Sequence, residues 1–134
     1  MNAVDPTLLI TREPIRVRVL FAGHEIADSD DVLVLQEPGR PLVRFFPRLD
    51  VAMVFLSKTL NKEYSSTLGT ATFFTVYRDQ KIVDNCAWSL EAPSPAAQEL
   101  TDRIAFLSEH FDFEVEGHTV SETEALGFSR HSIG

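Results

Sequence analysis

Thr70-Ala71-Thr72-Phe73-Phe74-Thr75-Val76-Tyr77, then Arg78-Asp79-Gln80, then Lys81-Ile82-Val83-Asp84-Asn85-Cys86-Ala87-Trp88-Ser89-Leu90 is the stretch that decides the fold. Thr and aromatic side chains crowd its first half, as they do on a pleated, half-buried surface. The polar triplet turns the chain, and the second half returns as a partner strand. On that return strand Ile82, Cys86, Trp88 and Leu90 share a face, with Asp84 near its start. With further strands in near succession around it and one long helix late in the chain, this hairpin points to an antiparallel, mainly β domain.

Upstream the same logic holds. Ile15, Val17, Val19 and Phe21 alternate with Arg16, Arg18, Leu20 and Ala22, the period of two of a half-buried strand. Gly23-His24 reads as a tight turn, and a short return strand through Ile26 ends at Asp28-Ser29-Asp30-Asp31. Val32 to Leu35 reads as a buried strand, Pro38-Gly39-Arg40-Pro41 as a turn, and Leu42 to Phe46 as the next strand. Asp50 is placed to cap a short helical turn through Phe55, while the polar residues Ser57 to Thr67 read as a loop.

Downstream, Ser94 is an N-cap candidate and Pro95 suits a first helical position. Leu100, Ile104, Leu107 and Phe111 follow at helical spacing, which predicts an amphipathic helix ending near His110. Phe111 to Glu116 returns to a period of two, a last strand. The expected organisation is an N-terminal arm over 1–13, one mainly β (α+β) domain over 14–117 with a helix in its C-terminal half, and an acidic, flexible tail over 118–134.

Composition bounds the function. The 134 residues make one domain's worth of chain, and the 44% apolar fraction can fill a core. With 12 Lys and Arg against 20 Asp and Glu, the formal charge of −8 disfavours nucleic acid and anionic membranes as general partners. Residues 109–134 carry six of those acids against one base, Arg130. The body is nearer balance and holds Arg16, Arg18, Arg40, Arg44 and Arg48, so the exclusion is weaker for that face. One Cys allows no intramolecular disulfide, and His24, His110, His118 and His131 lie in no metal-ligand spacing. The first residues carry no basic, apolar leader and no membrane span, so a cytoplasmic protein is expected. Neither G-x-x-x-x-G-K-[ST] nor G-x-G-x-x-G occurs.

Several short motifs, in order, carry a resemblance. They are Gly23, Ala27-Asp28-Ser29, Glu37, Phe46-Pro47-Arg48-Leu49-Asp50-Val51, Gly69-Thr70-Ala71, Phe73-Phe74, Asn85-Cys86-Ala87-Trp88, Pro93 and Ile104-Ala105-Phe106. From Val17 to about Gly117 the chain resembles the bacterial domain-of-unknown-function family 427, which also bears a nucleotidyltransferase-like label. The resemblance implies a β-tent-like fold: bent antiparallel sheets with a helix, in a small monomer or homodimer. Some β-tent relatives hold zinc on two C-x-x-C pairs; this chain has neither pair, so no metal and no cofactor is carried over. The family's Cys-Pro-x-Lys-Gly corresponds here to Ser65-Ser66-Thr67-Leu68-Gly69, with Ser65 at the Cys position and Leu68 at the Lys position. The family's Tyr two places after the Trp is Leu90 here. Chemistry that needed that thiol or ammonium would be lost in this chain, because an unactivated Ser is a far weaker nucleophile than a thiolate.

Three functional readings follow. The favoured one is a small cytosolic β-domain that binds a small molecule or protein partner, with no catalytic residue that the sequence justifies. Its candidate ligand-binding residues are Arg48, Asp50, Ser65, Gly69, Asn85 and Trp88, with Arg and Asn suited to orienting an anionic or polar group. The bland reading makes Arg48 and Asp50 a surface pair and Asn85 a backbone partner. The second is a nucleotidyltransferase-like enzyme using Asp28, Asp30 and Glu37 on a metal ion. The third is an interaction module whose acidic tail recruits a basic partner.

Overall fold

The computed structural model describes residues 8–115 and 118–120. Its strands are β1 (Leu9–Arg12), β2 (Val17–Phe21), β3 (His24–Ser29), β4 (Leu33–Gln36), β5 (Val43–Phe45) and β6 (Leu56–Ser65). They continue with β7 (Gly69–Arg78), β8 (Lys81–Pro93), β9 (Ala105–Phe106), β10 (Asp112–Val115) and β11 (His118–Val120). Three antiparallel sheets result, in the orders β1-β4-β5, β11-β10-β2-β3 and β6-β7-β8-β9. The expected mainly β, antiparallel architecture is therefore present.

The long hairpin β7–β8 organises the rest. Its turn residues Asp79 and Gln80 both have positive φ, the type I′ pattern that matches strand twist, and Ala22-Gly23 between β2 and β3 repeats it. Successive residues on these strands feed two separate cores. Phe74 and Val76 of β7 and Ala87 of β8 join Val17, Val19, Phe21 and Phe113 in the larger core. Ala71 of β7 and Leu90 of β8 join Leu35, Phe45, Leu100 and Ala105 in the smaller one. The adjacent pairs Phe45–Phe46 and Ala105–Phe106 are likewise divided between the two cores. Short, continuous apolar runs are what strands covered on both faces require.

Bulges adjust the faces. Between the pairs Phe74↔Ala87 and Val76↔Val83, three residues of β8 oppose one of β7, and Asn85 takes a φ of 53°. That changes the alternation, so Cys86 and Ala87 both enter the larger core while Ile82 is exposed. Ile82 therefore does not share the buried face with Cys86, and Cys86 does not share the Trp88–Leu90 face.

The expected helix is replaced by extended and 3-10 segments. Residues Pro95–Leu100 form 3-10 turns broken at Ala97, Asp102 has a φ of 64°, and Ala105–Phe106 is strand β9. A further 3-10 turn, Ser108–His110, follows it. The cause is two-sided burial: Ile104 and Phe106 point to one core and Ala105 to the other. The backbone is also spent outward, with Ile104 N–H donating to Phe46 O at 2.8 Å and Leu107 N–H to Cys86 O at 2.9 Å. The Thr101 hydroxyl competes for Gln98 O at 2.6 Å, as short polar side chains do outside helices.

Residues Ser57 to Thr67, expected to be a loop, mostly belong to β6, an edge strand exposed on both faces and so without an apolar stripe. Asp50 caps no helix: Arg48–Asp50 and Met53–Phe55 are 3-10 turns without side-chain caps. Within the expected arm, Leu9–Arg12 pairs with β4, and the neighbouring Glu13 accepts from the buried Arg44 Nε at 2.9 Å. Within the expected tail, His118–Val120 pairs with β10. The tail from 121 to 134 and the arm before residue 8 lie outside the described residues. No described helix is long and apolar enough to cross a membrane.

Candidate functional site

The smaller core does not close completely. It opens into a cleft of about 610 Å³ between the β6–β7–β8 face and the end of β4 with the start of β5. Register fixes what that face offers: Glu63 of β6 opposes Ala71 of β7, which is next to Leu90 of β8, and one row on Phe73 opposes Trp88. Leu35, Val43 and Leu68 supply further apolar wall, and Glu37, Arg40 and Ser108 supply polar edges. This is the size and mixture of a small-molecule site, which spans roughly 300–1,000 Å³ with few polar groups.

Trp88 packs edge-on against Phe45, with ring centroids 5.2 Å apart and planes at 83°. That contact holds the ring in place. Its indole N–H makes no hydrogen bond among the described residues, yet it is not a buried orphan. It is therefore an accessible donor on a residue that lines the cleft.

Ser65, Gly69 and the residues between them form the turn at one end of the cleft. Ser65 Oγ accepts from the N–H groups of Thr67 and Leu68, both at 3.2 Å, and shares a hydrogen bond with Thr67 Oγ1 at 2.9 Å. Thr67 Oγ1 in turn donates to Glu37 Oε2 at 3.1 Å, tying the turn to the far wall. Gly69 has a φ of 100° and packs its Cα against the backbone of Ala92 to Ser94. Ser65 is thus a turn former rather than an activated nucleophile; no base contacts it among the described residues. Gly69 is needed for close approach.

A family model described as Domain of unknown function (DUF427) matches residues 9–117, from the first residue of β1 to just beyond β10. The chain belongs to the DUF427 family. A search of curated proteins finds no match. The family has no assigned activity, so function in this DUF427 domain is argued from its own side chains.

The remaining candidates lie elsewhere. Arg48 is on the opposite face of β8, where its Nε donates to Asp102 O at 2.6 Å and Nη2 donates to Ser89 Oγ at 2.9 Å and Glu91 Oε2 at 2.8 Å. Lys58 Nζ holds the other Glu91 oxygen at 2.9 Å. Burial pushes the Glu91 carboxyl up, but the bonds from Lys58 and Arg48 overcome it and hold it below its ordinary value. Asp50 does not pair with Arg48; it accepts from Ser29 Oγ at 2.6 Å. Asn85 Oδ1 accepts from Thr59 Oγ1 at 2.7 Å, joining the β8 bulge to one in β6. These three side chains knit elements together and line no part of the cleft.

The carboxylates of the enzyme reading are dispersed. Asp28 is bound by Arg16, whose hydrogen bond and charge hold its carboxyl below its ordinary value. Glu37 belongs to the cleft, and among the described residues no three His, Cys, Asp or Glu side chains are grouped to hold a metal ion. Cys86 is buried, which pushes its thiol up to about 11 and leaves it protonated and unreactive. The acidic tail of the interaction reading extends beyond the described residues.

Sequence reasoning placed Ser65, Gly69 and Trp88 together, with Leu68 inside the expected turn, and missed the wall formed by Phe73, Ala71 and Glu63. The signal for Ala71 and Phe73 was available in their alternation along Thr70 to Tyr77. Glu63 had none, because its strand carries no apolar period.

Proposed function

We propose that this DUF427 domain is a cytosolic small-molecule binding protein whose site is the cleft beside Trp88. The sheets on either side of that cleft would form the tent-like arrangement typical of the family. One observation carries the reading: a cleft of about 610 Å³, largely apolar with polar edges, is lined by a fixed aromatic ring whose N–H has no partner among the described residues. Apolar ligands entering such a cleft gain from surface removed from water at roughly 25 cal/mol per Å².

Trp88 is the single Trp of the chain, so its emission reports on the cleft without labelling. Titration with the neutral fluorophore N-phenyl-1-naphthylamine is expected to give saturable energy transfer from Trp88. Val43→Phe and Ala71→Leu, which fill the cleft from opposite walls, should abolish the transfer while retaining cooperative melting. Transfer that does not saturate, or that both folded variants leave unchanged, would refute the proposal.

A further inference from the structure

We infer that the occupant of the cleft carries an organic cation, an ammonium group on an apolar or aromatic body. This rests on the cleft being a ligand site and adds the charge of the ligand. Glu37 is half-buried in the cleft wall and accepts a single hydrogen bond, from the Thr67 hydroxyl, with no cationic partner among the described residues. Glu63, exposed on the edge strand of the facing sheet, has neither a hydrogen bond nor an ion pair among those residues and adds negative charge at the cleft rim. Most other partly buried carboxylates meet a cation in this fold; Asp50, outside the cleft, is the exception and accepts from the Ser29 hydroxyl. Glu13 meets Arg44, Asp28 meets Arg16, Glu91 meets Arg48 and Lys58, and Glu114 meets Arg18.

A half-buried carboxylate without a counter-charge is unfavourable unless something supplies one. Arg40 is the one cationic side chain among the described cleft residues, but it stands exposed in the turn after β4 and pairs with neither acid. Its field is screened by solvent and salt more than a charge within the cleft would be. The aromatic floor favours the same ligand, because Trp is the best face for a cation and Phe73 lies beside it. Strand spacing places the backbone of Glu63 roughly 10–12 Å from that of Trp88.

The test compares three probes of one shape: phenethylammonium, 2-phenylethanol and 3-phenylpropanoate. Each competes with N-phenyl-1-naphthylamine at Trp88. The ammonium is expected to compete about tenfold better than the alcohol, the worth of one charge-assisted hydrogen bond, and the carboxylate worst. Glu37→Gln should bring the ammonium to the level of the alcohol and leave the alcohol unchanged. Equal competition by alcohol and ammonium would overturn the cation inference and leave the cleft standing as an apolar site. Stronger competition by the carboxylate would overturn it too and move recognition to Arg40. Failure of all three probes while the naphthylamine still binds would likewise overturn the inference. Failure of the naphthylamine itself to bind would remove the cleft reading and this inference with it.

Discussion

Replacing Gly69 with Ala tests how the cleft is built more sharply than any change to its walls. A Cβ on Gly69 would lie 2.5 Å from Ser94 N and 2.7 Å from Pro93 C, with Ala92 O closer still. All three atoms are backbone, so no side chain can swing aside. The φ of 100° adds strain of about 1–3 kcal/mol for a residue with a Cβ. Relief requires β8 to part from the turn, which removes the bonds from Ser94 N to Leu68 O (2.8 Å) and from Ser94 Oγ to Thr67 O (2.7 Å). Each is worth about 1 kcal/mol. The total, about 3–5 kcal/mol, is a large part of the roughly 5–15 kcal/mol that holds a domain together. For a chain of this size it corresponds to a fall in Tm of about 10–25 °C. Far-UV circular dichroism melting of wild type and Gly69→Ala checks it. A variant melting within about 3 °C of wild type would refute both the close approach and the role of Gly69 as a packing rather than a ligand-contacting residue.

Other consequences are as direct. The Glu91 carboxyl titrates below its ordinary value of 4.5, so the unfolded chain takes up that proton first. Its contribution to stability is full above pH 4.5 and is lost as the pH falls below it. Glu91→Gln should therefore flatten the acid limb of urea midpoints measured from pH 7 to pH 3; an unchanged limb would remove Glu91 from the account. Cys86 should resist iodoacetamide at pH 8 in native buffer and react fully in urea, as read by intact mass; rapid native alkylation would contradict its burial. Ser65→Ala should lower stability by about 1–2 kcal/mol by freeing the Thr67 and Leu68 N–H groups, while probe competition at Trp88 persists. Loss of binding in a Ser65→Ala protein that still melts cooperatively would show that the hydroxyl contacts ligand.

What the sequence disclosed depended on how each segment meets solvent. The β7–β8 hairpin was legible because alternating Thr and aromatic residues lead into a polar turn. β6 was not, because an edge strand open on both faces has nothing to alternate; Lys58, Asn61, Lys62 and Glu63 read as a loop. The misplaced helix failed for the opposite reason. Leu100, Ile104, Leu107 and Phe111 do recur at helical spacing, but two cores claim consecutive residues there, and a helix presents only one stripe to one core. The candidate site divides the same way. Ser65, Gly69 and Trp88 converge because a turn and a strand face are local properties. Arg48, Asp50 and Asn85 are held by partners 21 to 54 residues away or in another strand, and pairings at that range leave no local signature.

The two-residue bulge that carries Thr59 to Asn61 past Phe73 has an effect beyond joining β6 to β8. It lies in the middle of the longest open sheet edge described, ten residues that could otherwise template a strand from another molecule. There Thr59 Oγ1 takes the Asn61 N–H at 3.2 Å, and Lys58 and Lys62 flank the interruption. An incoming strand would find its ladder broken at the centre. Such devices keep exposed edges from growing into aggregates. Straightening this edge by deleting two of its three bulge residues should therefore cost the protein its resistance to self-association before it costs the fold.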